Sequence, residues 1–242
     1  AGSSFAQAWP TKPVKVIIPF PPGGTLDAVG RQLALKLSEQ TGQQFVIENR
    51  PGGNGIIGAD AVAKAPADGY TLLFNASTFT TAPMTMKSTP YGVVKDFAPV
   101  ALVAKAPLSV AINKNLPITD IESLVAYAKA NPGNMSFAVG SIGSAGHLST
   151  ELLKRSDNLN FMIVPYKGTA PAFQDLIGGQ TIVLTNNNTG NIEAQQLVLD
   201  TSEVRITLSA ENIFDLRFRI PLLLFCQIKN MHSFVPSRRS EE

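Results

Sequence analysis

The sequence predicts an α/β fold in two units, because short β-branched runs alternate with helical stretches and that alternation breaks near residue 100 before resuming. Val14-Lys15-Val16-Ile17-Ile18 reads as a strand closed by Pro19, and Leu26, Val29, Gly30, Leu33 and Leu37 then share one helical face. Phe45-Val46-Ile47 leads through a Gly-rich turn to an Ala-rich helix near residues 56–65, and Tyr70-Thr71-Leu72-Leu73-Phe74 reads as the next strand. Strands alternating with helices imply a parallel sheet covered on its faces. From Phe97 the texture changes to two extended stretches, Val100–Ala104 and Leu108–Ile112, joined at Pro107, a pair suited to crossing between lobes. Thr119-Asp120-Ile121-Glu122 reads as a capping box opening a helix through Ala130, which Asn131-Pro132-Gly133 ends. Met135–Val139 resumes as strand, the loop Gly140–Gly146 precedes a helix over His147–Arg155, and Met162-Ile163-Val164 leads through Pro165-Tyr166-Lys167-Gly168 to a helix around residues 170–177. This is a second βαβα unit. Beyond Gln180 neither period dominates until the apolar stretch from Ile220.

Composition narrows the function classes. With 44% hydrophobic residues in 242, the chain can bury a substantial core. Lys and Arg number 20 against 18 Asp and Glu, dispersed along the chain, so there is no basic stripe for nucleic acid or an anionic membrane. Cys226 is alone, which excludes an intramolecular disulfide and a Cys-rich metal cage. Ala6-Gln7-Ala8 has the small-x-small form of a secretory cleavage site, so residues 1–8 are expected to be the remnant of a trimmed signal peptide. The apolar run Ile220–Cys226 is far shorter than the roughly 20 residues a spanning helix needs, so a soluble product is expected.

Two loops carry the chemical interest. Pro21-Pro22-Gly23-Gly24-Thr25 lies between the first strand and first helix, where glycines let backbone N–H groups face a ligand and the helix dipole favours negative charge. Gly140-Ser141-Ile142-Gly143-Ser144-Ala145-Gly146 repeats the arrangement in the second unit. Each loop reads equally as a plain βα turn; together they can face one another across a cleft. Asp27 beside the first seat would repel a second negative charge and attract an amine, or else simply support the helix N-terminus. Gly53-Asn54-Gly55-Ile56-Ile57-Gly58 has the spacing of a dinucleotide fingerprint, but Asn75 and Ala76 stand where the acidic partner belongs, so tight strand-to-helix packing is the stronger reading. Ser144 and His147 invite a hydrolase reading, yet Ile142 and Val139 spoil both registers of a nucleophile elbow. The two histidines, lone cysteine and missing Walker loop call for no metal or cofactor.

At these residues the sequence resembles the Bug (TctC-like) family, the periplasmic solute-binding receptors of tripartite tricarboxylate transport. The motifs run in order: Trp9-Pro10 with Pro13–Ile17, Pro19–Gly24 with Asp27, Glu48–Gly53, Ala67–Leu73, Asp96-Phe97 with Pro99-Val100, the loop from Gly140 to Leu148, Val164–Gly168, Ala170–Ala172, and Asp175–Gln180. They cover residues 9–180.

The resemblance implies a periplasmic-binding-protein-like fold, two α/β lobes with a ligand cleft between them, and capture of a small carboxylate (a di- or tricarboxylate, an amino acid or an aromatic acid) for uptake or sensing, without catalysis. Carried over by position, Phe20, Pro21, Pro22, Gly23, Gly24, Thr25 and Asp27 supply the first lobe's contacts, with Ser77 and Thr78 at a strand end. Ser141, Gly143, Ser144, Ala145 and His147 supply the second lobe's, with Lys167 and Gly168 at a cleft-facing turn. The expected organisation is residues 9–103 in the first lobe, 104–200 in the second, and 201–242 as an atypical segment open to a return to the first. It implies a periplasmic monomer that hands a carboxylate to membrane components of a tripartite tricarboxylate transporter and does not bind nucleic acid. The alternatives are a serine hydrolase using Ser144 and His147, or a non-binding remnant. Residues 181–242 depart from the family pattern, keeping only an echo of a returning strand at Val204–Ser209.

Overall fold

The computed structural model describes residues 9–106 and 108–181, with the backbone of three later strands, Val183–Asn186, Val204–Ser209 and Ile220–Gln227. The signal-peptide remnant expected over residues 1–8, the break at Pro107 and most of the tail lie outside the described residues. The described residues form two five-stranded sheets. The first has the order β2-β1-β3-β10-β4, from β1 (Val14–Ile18), β2 (Phe45–Asn49), β3 (Thr71–Asn75), β4 (Phe97–Ala106) and β10 (Ile220–Gln227). The second has the order β7-β6-β8-β5-β9, from β5 (Ser109–Asn113), β6 (Ser136–Val139), β7 (Met162–Pro165), β8 (Val183–Asn186) and β9 (Val204–Ser209).

In each sheet three neighbouring strands run parallel and an antiparallel strand joins them, so helices cover both faces. The side-chain period of two divides each strand between two small cores. Val14, Val16 and Ile18 face α1 (Thr25–Thr41), whereas Ile17 packs with Ala59, Val62 and Phe79 on the other side, where Phe79 stacks on Tyr91 and both meet Phe97 edge-on. In the second lobe Val110, Ile112 and Phe137 face α4 (Ile121–Ala130), while Ala111 and Ala138 meet α6 (Thr169–Ile177) through Ala172, Phe173 and Leu176. The small alanines let α6 approach closely.

Several sequence expectations are refined by the structure. The capping box belongs to Asp120 and Ser123, each accepting from the other's backbone N–H, because Asp120, not Thr119, occupies the N-cap. The Ala-rich helix α2 spans Ile56–Ala63. A helix not expected from the sequence, α3 (Thr78–Thr85), follows β3 despite Pro83. β4 runs in the first sheet to Ala106, past residue 103, before β5 begins in the second. Val204–Ser209, which echoed a strand returning to the first lobe, pairs with β5 in the second sheet. The strand that returns is β10, inserted antiparallel between β3 and β4 because Ile220–Cys226 is apolar enough for a strand with neighbours on both sides.

Candidate functional site

One cavity of about 70 Å³ lies between the lobes, room for roughly five waters at ~10–15 Å³ each. Four helices begin at its wall, two from each lobe. The first turn of α1 contributes Thr25, Leu26 and Asp27 after the loop residues Phe20, Pro21 and Gly24; α3 contributes Ser77 and Thr78, preceded by Ala76. From the second lobe come Gly140, Ser141 and Ser144 before α5 (Ala145–Ser156), and Gly168, Thr169, Ala170 and Pro171 at the start of α6. Each helix follows a parallel strand, so the cavity sits at the carboxyl ends of β1, β3, β6 and β7, where open α/β sheets bind ligands. First-turn N–H groups lack intrahelical acceptors, and each N-terminus carries roughly half a positive charge. Among the described residues no Lys, Arg or His lines the wall. The positive ends that face the cavity are those of peptide dipoles.

The one acid on the wall among the described residues, Asp27, is 5% exposed and heavily engaged. Its Oδ2 accepts from Gly23 N–H (3.0 Å) and Arg31 Nε (3.0 Å), and its Oδ1 accepts from Asn49 Nδ2 (2.9 Å). Burial alone pushes this carboxyl up, but the hydrogen bonds from Arg31, Gly23 and Asn49 outweigh it and hold Asp27 below the usual carboxylate value. Asn49 Nδ2 also reaches Phe20 O at 3.0 Å, so Asn49 and Asp27 together fix the loop entering α1. Three of its four lone-pair directions are used in bracing this loop.

Ser77 is arranged differently. Its carbonyl accepts from Thr80 and Thr81 N–H, but its hydroxyl makes no cap. The side chain of Asn75 does the local work, accepting from Ala76 N–H at 2.8 Å and Thr78 Oγ1 at 3.3 Å. Ser77 Oγ is therefore buried with no hydrogen-bond partner among the described residues, on the wall of the cavity. Such a group costs free energy until something polar meets it.

Of the residues expected from the sequence, Phe20, Pro21, Gly24, Thr25, Asp27, Ser77, Thr78, Ser141, Ser144 and Gly168 line the cavity. Pro22, Gly23, Gly143, Ala145, His147 and Lys167 do not, and for several the reason is visible. Three of the glycine amides that could serve an anion are already spent: Gly23 N–H on Asp27, Gly143 N–H on His147 Nδ1 at 3.2 Å, and Gly168 N–H on Gly140 O at 2.7 Å. Pro22 and Lys167 face solvent. His147 thus shapes its loop from outside the wall. Ser144 is linked to it as a helix cap, its Oγ accepting from His147 N–H at 3.1 Å, which is not the arrangement of a nucleophile with its base. Leu26, Ala76, Gly140, Thr169, Ala170 and Pro171 were not foreseen. The signal for the last three was the strand, glycine and helix order at Val164–Ala172, which repeats the logic of the two Gly-rich loops.

The lobes touch. Asn54 Nδ2 donates to Ile142 O at 2.6 Å and Thr81 Oγ1 donates to Gly143 O at 2.8 Å. A Cβ at Gly143, where φ is +72°, would lie 2.8 Å from Thr85 Oγ1 of the first lobe, and one at Gly168 would lie 3.2 Å from Pro21 Cδ. This arrangement is a closed cleft.

Residues 29–199 match the tripartite tricarboxylate transporter family receptor, TctC. Protein BugT of Bordetella pertussis is 40% identical over 202 residues, covering 78% of this chain and 61% of BugT. The chain spans about half the length of the other curated relatives it matches. Among solved structures, "R. palustris Rpa4515 with adipate" superposes with a TM-score of 0.83 at 34% identity, covering 91% of this chain and 78% of that one. MatC of Rhodopseudomonas palustris, solved with bound malate, superposes with a TM-score of 0.79 at 27% identity, covering 90% of this chain and 79% of that one. The two-lobed architecture is the one these periplasmic binding proteins share.

Proposed function

Because the chain belongs to the tripartite tricarboxylate transporter receptor family, we propose that it captures a small carboxylate, a dicarboxylate first of all, between its lobes in the periplasm and releases it unchanged. The observation that carries this reading is the convergence of four helix N-termini on one cavity whose wall, among the described residues, has no cationic side chain. Two positive foci from each lobe suit an elongated dianion better than a single compact one. The neighbours solved with adipate and malate point to the same class. Delivery to the membrane components of a tripartite transporter, and export with removal of a signal peptide, belong to the same proposal. Ser77 Oγ, Thr25, Ser141 and Ser144 are its polar side-chain contacts, and first-turn amides its main donors.

Calorimetric titration with malate, adipate, citrate and benzoate tests the reading. Saturable one-to-one binding is expected for at least one acid. Raising the salt concentration should weaken it less than a surface ion pair, whose field is screened over about 10 Å at 0.1 M. Silence from the whole panel overturns the assignment; stoichiometric labelling of Ser144 by a fluorophosphonate would restore a hydrolase.

A further inference from the structure

The Gly53-Asn54-Gly55 segment, left over once dinucleotide binding is set aside, has a second use in the closed cleft. Gly58 explains the packing half of that motif, since a Cβ there would lie 2.7 Å from Pro19 Cβ and 3.0 Å from Arg50 O. It does not explain Asn54. This residue is left-handed at φ 57°, between two glycines that are also at positive φ, in a 3-10 turn ahead of α2. Asparagine tolerates that region better than most residues, and the turn aims its amide across the cleft at Ile142 O. Thr81, on α3, takes the next carbonyl, Gly143 O. Both acceptors belong to the loop whose other side, through Gly140, Ser141 and Ser144, faces the cavity. One loop is thus gripped by the first lobe on its outer edge and presented to the ligand on its inner edge. Gly143 must be small for this, because a Cβ there would lie 2.8 Å from Thr85 Oγ1 and 3.2 Å from Thr81 Oγ1.

We propose that Asn54 and Thr81 form an interlobe latch that sets the closed-to-open ratio, and through it ligand residence time, without touching the ligand. The latch deepens the capture reading and rests on it. Asn54 and Thr81 are positioning residues: neither lines the cavity. Each contributes one donor, and losing one such bond should lower the closed-to-open ratio about three- to tenfold.

Spin labels on Lys36→Cys in α1 and Lys129→Cys in α4, in a Cys226→Ser background, report the distance between lobes. Asn54→Gly keeps the left-handed backbone and removes the donor; Thr81→Val keeps the shape and removes the hydroxyl. The distance distribution is recorded first without ligand and then with malate and adipate. Either variant should lose closed population and, where an acid binds, release it three- to tenfold faster with the order of preference among acids unchanged. If the parent binds neither acid, the carboxylate reading fails while the ligand-free distributions still decide the latch. Equal closed fractions in the parent and both variants overturn it, as does a changed ligand preference, which would place these side chains in the binding shell.

Discussion

Replacing Ser77 by alanine separates a ligand contact from a structural one, because only the structural role predicts a loss of ligand-free stability. Ser77 Oγ is buried at the cavity, caps nothing and has no hydrogen-bond partner among the described residues. Ser77→Ala therefore breaks no bond within the described protein, and its ligand-free melting temperature should stay at the parent's or above it, where each kcal/mol lost would lower it by about 2–4 °C, the scale for a domain of this size. In the complex the same hydroxyl would donate to a carboxylate, a bond worth about 1.5–3 kcal/mol, so affinity should fall roughly tenfold to 150-fold. Scanning calorimetry of the ligand-free protein and titration with malate and adipate measure the two effects separately. Thr78→Val is the control, since Thr78 Oγ1 is already bonded to Asn75 and its loss should lower stability. An affinity within twofold of the parent, or a lower ligand-free melting temperature for Ser77→Ala, refutes the reasoning.

Three further substitutions test the surrounding frame. Gly143→Val forces a branched side chain onto a backbone at φ +72° and against Thr85 Oγ1, so we expect at least a tenfold loss of binding with cooperative unfolding retained; parental affinity would show that the lobes need not meet here. Asp27→Asn removes a carboxylate held below its usual value, whose stabilisation is present above the ordinary carboxylate range near 3.9 and lost as pH falls through its folded value. The melting-temperature gap between parent and Asp27→Asn should therefore be full at pH 7 and close below about pH 4; a gap independent of pH argues against the charge. Tyr166 donates to Asp175 Oδ2 at 2.6 Å, and burial together with that carboxylate pushes its phenol up to about 12. Unfolded phenols ionise near 10, so stability should decline between about pH 10 and 12 in the parent; Tyr166→Phe should flatten that decline while costing about 1–2 kcal/mol at pH 7, read by denaturant unfolding.

The parts of the fold that were legible in the sequence are those where local pattern and tertiary role agree. Val14–Ile18, Phe45–Ile47 and Tyr70–Phe74 are short runs rich in β-branched or aromatic residues, the first flanked by Pro13 and Pro19 and the last preceded by Gly69, and they became the parallel strands. α3 was not legible, because Thr78-Phe79-Thr80-Thr81 has low helix propensity and Pro83 argues against a helix; burial of Phe79 against Tyr91 and Phe97 overrides both. The cavity was half legible. Glycine loops after strands marked where the wall would be, but sequence cannot say whether a glycine amide is free, and Asp27, His147 and Gly140 consume three of them. Ala170-Pro171 carried no polar signal. They matter through the end of the helix they open, not through their side chains.

The antiparallel insertion of β10 has a consequence for how the chain finds its shape. Phe74 pairs with Leu224, about 150 positions later, whereas nearly all the second sheet's pairing lies within Ser109–Ser209. The second lobe can assemble from contiguous chain. The first must keep β3 and β4 apart with their facing edges unpaired until Ile220–Gln227 arrives, and pairings across such separations are slow to form. Refolding is therefore expected in two phases, the faster reporting the second lobe, with the interval between them the period of greatest exposure to aggregation.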